Sequence, residues 1–234
     1  EDQYLMPEYQ NKLGFCTNYT VDGSVLLVNT DLLAGLGIEI NGYADLLQPE
    51  LKDKIVSADP TASSSAFCQL TNMLLAMGGY ESEEAWQYVE DLFKNINGKV
   101  VSSSSSVYKG VDNGEYVVGL TYEDPCVPLL KDGATNIKIV YPVEGTVFLP
   151  AQIGIVKNAK NLANAQAFVD FMLSEEAQIF LAENTTSRPI RVVDAGNDYM
   201  TPMADIKLIF EDSDYVTSHT AELKEKVQEI MMGI

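Results

Sequence analysis

The stretch that decides the fold is KIVSADPTASSSAFCQLTNMLL, residues 54–75. A short β-type run at its start passes through the serine-rich segment 59–66 into an apolar run with helical spacing. The pattern recurs in GKVVSSSSSVYKGV, residues 98–111, where serines 102–106 separate a β-type run from a helix-type run that starts at Val107. Strands that alternate with helices in this way are typical of α/β folds.

Each serine-rich segment has two interpretations. In the first, the hydroxyls only cap the start of a helix, where serine and threonine are preferred without any ligand. In the second, free N–H groups and hydroxyls at the helix start hold an anion, which the helix dipole favours. Two such segments in one chain, each longer than capping requires, favour the second interpretation and predict a cradle for an anion.

The composition narrows the class of protein. Hydrophobic residues make up 46% of the chain and aromatic residues 9%, which argues against disorder. The net charge of −19 repels phosphate backbones and anionic membranes, so we expect no nucleic-acid partner. A small anion is still compatible with this charge, because a local nest of N–H groups holds one within an acidic protein. No apolar run approaches the roughly 20 residues of a membrane-spanning helix.

The chain offers little material for catalysis. Its single histidine, His219, argues against a histidine-rich metal site and against a catalytic triad. The cysteines show no CxxC spacing, and serines 63–65 lie outside any G-x-S-x-G motif. The sequence also lacks a P-loop and a glycine-rich dinucleotide motif. We therefore predict a non-enzymatic protein without a cofactor.

Strands and helices are unevenly distributed along the chain. Two strands are predicted over 14–19 and 24–29, around a turn signal at Asp22-Gly23. Later strands are predicted over 116–121, 136–141, 146–149 and 152–156, and helices over 63–78, 82–95, 161–173, 175–183 and 218–232. The apolar faces of the helices beyond residue 156 need a sheet to pack against, but this part of the chain contains too few strands to form one. We expect the missing strands to precede Glu1, in the earlier part of a longer protein.

Several segments, in this order, resemble the solute-binding proteins of ABC importers. They are Leu26–Leu33, Gly42–Ile55, Asn113–Gly119 and Ala165–Ser174. The resemblance covers nearly the whole chain and is to the ferric-iron-type branch, which includes AfuA-like hexose-phosphate binders and aminoethylphosphonate binders. It implies an α/β fold of the two-lobe periplasmic-binding-protein type, with doubly wound sheets and a first lobe that is incomplete in this chain.

The resemblance also implies where the lobes begin and end. Residues 1–21 would be a hinge-proximal segment of the first lobe, and residues 22–145 the second lobe. Residues 146–195 would hold a hinge strand and the return to the first lobe, followed by a helical tail over 196–234. The ligand of such proteins is enclosed between the lobes. Because the first lobe would expose apolar helix faces, we expect a dimer or a swapped arrangement of this chain.

Three segments of the family contact the ligand, namely the equivalents of both serine turns and of the loop after residue 121. The resemblance assigns ligand binding to Thr61, Ser63, Ser64, Ser65, Ser103, Ser104, Ser105, Tyr122, Glu123 and Asp124. Ferric binders of the family place two adjacent tyrosines in that loop, whereas here Tyr122 precedes two carboxylates. Tyr122 and Glu123 are therefore metal ligands only if the solute is ferric ion. A solvated loop or a helix start before Pro125 is the alternative interpretation of Glu123 and Asp124.

The sequence thus predicts an extracellular or periplasmic protein that delivers a small anion to an ABC transporter permease. Hydroxyl-rich turns that face a carboxylate suit an organic phosphate or a phosphonate, and ferric ion with a synergistic anion is the second ligand. The full-length form is expected to be a cell-surface lipoprotein with a signal peptide. The alternative is an enzyme or a sensor lobe on the same fold that acts on a phosphorylated small molecule.

Overall fold

The first strand, β1, spans Cys16–Asn29 without interruption. The sequence predicts a turn at Asp22-Gly23 within this strand, and that prediction is wrong. A hairpin turn requires the two flanking strands to pair with each other. Here the residues before Asp22 pair with a strand near residue 188, while those after Gly23 pair with strands that end near residues 122 and 140. The Asp-Gly pair therefore stays extended inside one long strand.

The structure is a computed structural model that describes residues 2–12 and 14–234. Its residues group into two units. Unit 1 comprises Glu1–Asp22 and Phe148–Met200, and unit 2 comprises Gly23–Val147 and Thr201–Ile234. Strand β1 contributes its first half to unit 1 and its second half to unit 2.

Unit 2 is built around a mixed sheet with the strand order β3-β2-β4-β1-β5. Its strands besides β1 are β2 (Ile55–Ala58), β3 (Val100–Val101), β4 (Val118–Tyr122) and β5 (Ile137–Val140). Strand β2 runs parallel to β3 and β4, whereas β1 runs antiparallel to β4 and β5. The continuous apolar run predicted over 116–121 forms β4, whose first four residues are buried, as expected of a strand covered on both faces.

Helices cover both faces of this sheet, as expected for a doubly wound α/β fold. They include α1 (Thr30–Ala34), α2 (Ser64–Ala76), α3 (Glu83–Ile96), α4 (Ser104–Asp112) and α5 (Cys126–Lys131). Successive side chains of a strand point to opposite faces. Leu26 and Val28 of β1 accordingly join a large buried cluster with α2 and α3, whereas Leu27 joins a second cluster with α4 and α5.

Unit 1 contains less strand material. Strands β6 (Phe148–Gly154) and β7 (Arg188–Pro189) pair with β1, and β6 replaces the two strands predicted over 146–149 and 152–156. Helices α6 (Leu162–Met172) and α7 (Glu175–Asn184) lie where the sequence predicts them. No residue of α6 is buried. Four large apolar side chains of these helices are 51–60% exposed, namely Leu162, Phe168, Phe171 and Phe180.

The chain beyond Met200 belongs to unit 2 and ends in α8 (Ser213–Met232). This helix begins earlier than the predicted start at residue 218, because the Asp212 side chain caps it by accepting a hydrogen bond from the Tyr215 N–H. Leu223 and Val227 of α8 are buried in the cluster that contains α2 and α3. The predicted helical tail is thus a packed layer of unit 2.

Candidate functional site

The three segments assigned to ligand binding meet at one edge of the unit 2 sheet. Strands β3, β2 and β4 are neighbours and run in the same direction, with Ala58 paired to Val101 and Ser57 paired to Leu120. Their carboxyl ends therefore lie side by side. The serine turn after β2, the serine turn after β3 and the loop after β4 continue from these ends, where open α/β sheets bind ligands.

The turn after β2 is organised by Asp59. Its carboxylate oxygen Oδ1 accepts hydrogen bonds from the Thr61 N–H at 2.8 Å and the Thr61 hydroxyl at 2.7 Å. Its backbone carbonyl accepts from the N–H groups of Ala62 at 3.2 Å and Ser63 at 2.8 Å. Two donors of Thr61 are thus used inside the turn. Among the predicted ligand residues, Thr61 shapes the turn and is poorly placed to donate to a ligand.

Ser63 is the N-cap of α2, and its hydroxyl oxygen accepts a hydrogen bond from the Ala66 N–H at 3.4 Å. The Ser63 and Ser65 hydroxyl oxygens also lie 3.0 Å apart and form a hydrogen bond. The capping interpretation therefore holds for Ser63. It leaves the N–H groups of Ser64 and Ser65 in the first helical turn, where a helix supplies no carbonyl partner. Capping and anion binding are compatible in this segment.

The turn after β3 repeats this arrangement. Ser103 is the N-cap of α4, and its hydroxyl oxygen accepts a hydrogen bond from the Ser105 N–H at 3.3 Å. The Ser103 and Ser105 hydroxyl oxygens lie 2.8 Å apart. Helix α4 begins at Ser104 and not at Val107, because the serines themselves form its first turn. The sequence thus places the start of this helix too late.

The loop after β4 contains a buried acid. Glu123 is only 1% exposed, so the interpretation of this residue as part of a solvated loop is wrong. One of its carboxylate oxygens accepts a hydrogen bond from the Tyr141 hydroxyl. Its N–H donates to the Gly23 carbonyl at 3.0 Å, and its own carbonyl accepts from the Cys126 N–H at 2.9 Å. Tyr122 and Asp124, on either side of it, are partly buried.

Tyr141 and Lys224 also belong to this region, although neither is among the residues predicted to bind the ligand. Tyr141 directly follows β5, which runs antiparallel to β1 and therefore in the same direction as β4. The end of the predicted strand 136–141 is the signal that points to it. The Lys224 ammonium group donates a hydrogen bond to the Thr61 carbonyl at 3.1 Å. Nothing in the sequence around Lys224 indicates this contact.

Comparison with known proteins identifies the family of this chain. Residues 3–219 match the family described as bacterial extracellular solute-binding protein. In structure, the chain resembles the periplasmic binding protein AfuA from Actinobacillus pleuropneumoniae with bound fructose-6-phosphate, at a TM-score of 0.78 and 26% identity, over 99% of this chain and 74% of that one.

Two curated relatives extend the comparison. An uncharacterized protein of Haemophilus influenzae is 31% identical over 64% of this chain and 43% of its own length. Iron uptake protein A1 of Synechocystis is 27% identical over 79% of this chain and 53% of its own length. The chain thus spans about half the length of these relatives.

The part of the chain that the structure describes contains no helix long and apolar enough to cross a bilayer. The family is extracellular by its description, and the AfuA structure is that of a periplasmic protein. The match over residues 3–219 assigns the chain to a family, and the doubly wound unit 2 with its two serine turns is consistent with that family. The chain belongs to the family of bacterial extracellular solute-binding proteins.

Proposed function

We propose that this chain is the ligand-binding part of an ABC importer and that its solute carries a phosphate or phosphonate group. The observation that carries the proposal is the meeting of two serine-capped helix starts, those of α2 and α4, at the carboxyl edge of one sheet. N–H groups at a helix start favour an anion through hydrogen bonds and the helix dipole. Two such starts suit the several oxygens of a phosphate group.

The other end of the solute would face the loop after β4. The buried carboxylate of Glu123, held by the Tyr141 hydroxyl, is a fixed acceptor for a sugar hydroxyl or an amine. Asp124 offers a second carboxylate beside it. A phosphorylated sugar or an aminoalkylphosphonate has this combination of groups, and AfuA is described with bound fructose-6-phosphate. The residues assigned to ligand binding in this proposal are Ser63–Ser65, Ser103–Ser105, Glu123 and Asp124.

A transport role without catalysis is part of the proposal. The single histidine, His219, stacks on Tyr215 with the ring centroids 4.0 Å apart, and its Nδ1 lies 2.9 Å from the Tyr215 carbonyl. Its contacts are therefore those of a packed side chain on α8. The partners of the proposed protein are an ABC transporter permease and the solute. Units 1 and 2 would correspond to the incomplete first lobe and the second lobe, respectively.

Ferric ion is the second candidate solute, and one contact favours it. The Tyr141 phenol donates to the Glu123 carboxylate, and Tyr122 directly precedes Glu123 in the sequence. Phenolate and carboxylate oxygens are suitable ligands for a hard cation. Iron uptake protein A1 is among the relatives. In this case Tyr122, Tyr141 and Glu123 would bind the ion together with a synergistic anion on the serine turns.

A thermal-shift panel tests the proposal. The panel contains fructose 6-phosphate, an aminoalkylphosphonate, inorganic phosphate, ferric citrate and spermidine. A solute that binds the folded state stabilises it by about 2.7 kcal/mol at a hundredfold excess over its dissociation constant. We expect stabilisation by the phosphorylated or phosphonate compounds. A visible absorption band with ferric citrate, lost in Tyr122→Phe and Tyr141→Phe, would select iron instead, and stabilisation by spermidine alone would contradict both candidates.

A further inference from the structure

The outer side of the turn after β2 faces a cavity. Asp59 and Thr61 line this cavity on one side, and Gln228 and Met231 of α8 line it on the other, around a volume of about 580 Å³. Close packing therefore does not fix the turn from this side. The contacts that the turn makes with α8 beside this cavity therefore bear on its position.

Lys224 of α8 makes such a contact. It lies one turn before Gln228 on the same face of α8, and its ammonium group donates to the Thr61 carbonyl at 3.1 Å. The ammonium also lies 5.2 Å from the centre of the Phe67 ring in α2. Such a position over an aromatic face attracts a cation. The lysine thus contacts both the turn and the helix that begins at the turn.

Together, Lys224 and Asp59 hold all three backbone and side-chain polar groups of Thr61. Asp59 takes the N–H and the hydroxyl, and Lys224 takes the carbonyl. The residues that follow Thr61 begin α2 with its N–H groups at the sheet edge. Fixing Thr61 therefore fixes the direction of those N–H groups. Lys224 also brings a positive charge to this turn in a chain of net charge −19.

We propose that Lys224 is a positioning residue of the anion site: it holds the turn over 59–65 in its binding geometry and makes the turn more attractive to an anion. This inference rests on the proposed function, because it assigns the role of α8 in the same site. It implies that the carboxyl-terminal helix, although distant in sequence from the serine turn, sets the affinity of that turn.

Three variants of the full 234-residue chain test the proposal. Lys224→Met removes the ammonium but keeps the apolar stem, and Lys224→Arg restores a cation. Lys226→Met is the matched control, because Lys226 is on the same helix and lies 4.3 Å from the Trp86 ring centre. The readouts are amide hydrogen exchange over residues 61–66, melting temperature, and affinity for fructose 6-phosphate and inorganic phosphate at low and high salt.

We expect Lys224→Met to weaken the affinity for both probes about three- to tenfold, the range of one lost hydrogen bond. The loss should shrink at high salt, because salt screens the lost charge. Exchange over 61–66 should accelerate in Lys224→Met alone, and Lys224→Arg should recover most of the affinity. Lys226→Met should change neither exchange in the turn nor affinity by more than about twofold.

Equal affinity and equal turn exchange in Lys224→Met and Lys226→Met would overturn this inference and leave the proposed function intact. An affinity loss in Lys224→Met that Lys224→Arg does not recover, or that is matched by a general loss of stability, would also overturn it. If the wild-type chain binds neither probe, the proposed function itself fails, and the assignment of Lys224 fails with it.

Discussion

The helices of unit 2 and of unit 1 are predicted equally well by the sequence, yet the helices of unit 2 bury many more of their side chains than α6 of unit 1 does. In unit 2, Leu70 and Leu74 of α2 and Leu92 of α3 are fully buried against the sheet. In unit 1, α6 buries no residue at all. Caps and apolar spacing are sufficient to predict a helix, because they act within the helix. Burial depends on what lies opposite, and the described part of unit 1 offers few strands for that purpose.

The sharpest test of this difference uses one large-to-small change in each unit. Leu74→Ala in unit 2 should lower the free energy of unfolding by about 2–5 kcal/mol, because it leaves a cavity in a fully buried site. Phe168→Ala in unit 1, at a side chain that is 59% exposed, should change it by less than about 0.5 kcal/mol. Urea denaturation measures both. Comparable losses in the two variants would refute the contrast.

The second prediction compares the serines at the helix starts of the two units. Replacing both Ser64 and Ser65 by alanine should weaken fructose 6-phosphate binding by about 1–3 kcal/mol through lost charge-assisted hydrogen bonds. Ser174→Ala is the control, because the Ser174 hydroxyl caps α7 in unit 1 by accepting from the Ala177 N–H at 3.3 Å. It should lower stability by about 1 kcal/mol and leave the affinity unchanged. Calorimetric titration measures both affinities. If the double variant binds fructose 6-phosphate as tightly as the wild type, Ser64 and Ser65 have only a structural role.

A third prediction concerns the exposed side chains of α6. Changing Phe168 and Phe171 to serine should reduce self-association and the binding of a hydrophobic dye, because exposed apolar surface promotes contacts between molecules. Phe210→Ser removes a phenylalanine of similar exposure, 53%, from unit 2 and should have a smaller effect. Light scattering across a concentration series measures the average mass. An unchanged mass distribution in the double variant would show that α6 does not cause association.

The smallest expected effect involves Glu211 of unit 2. Burial raises the pKa of its carboxyl group above 4.5, with a further rise from the Asp212 charge, while the hydrogen bond from the Thr71 hydroxyl opposes the rise. The folded state therefore holds the proton more tightly than the unfolded state. This group favours folding below pH 4.5, and its contribution is lost as the pH rises from 4.5 through the raised pKa.

Glu211→Gln removes this titration and keeps an acceptor for Thr71. Relative to the variant, the wild type should lose stability between about pH 4.5 and neutrality. Melting temperatures of both proteins across this pH range test the prediction. If the wild type becomes more stable relative to the variant as the pH rises, the pKa of Glu211 is not raised in the folded state.

How far the sequence predicted this structure depends on the range of the interactions involved. Helix starts at Ser63 and Ser174 follow from local capping, and the buried strand β4 follows from its apolar run. The meeting of the serine turns follows from parallel neighbouring strands. The long strand β1 was misjudged, because the Asp22-Gly23 signal is local whereas its pairing partners are distant.

The remaining contacts were beyond sequence reasoning for the same reason. Tyr141 reaches Glu123 across 18 positions, and Lys224 reaches Thr61 across 163. The end of the predicted strand 136–141 points to Tyr141, but no periodicity or motif links Tyr141 to Glu123 or Lys224 to Thr61. The hydrogen bonds from Thr61 to Asp59 join residues that are close in sequence. A serine-rich composition still does not show whether a given N–H or hydroxyl donates to a ligand or to a partner inside the turn.

Strand β1 also has a consequence for the synthesis of the protein. Its pairing partners β4, β5, β6 and β7 all follow it in the chain, the last at Arg188–Pro189. A ribosome adds about 5–20 residues per second, so the apolar second half of β1 waits roughly 5–20 seconds before its partner β5 has been made, and the first half waits longer for β7. Throughout that time its edges are open to any strand nearby. A chaperone that covers residues 16–29 during translation would therefore raise the yield of folded protein without touching any later step.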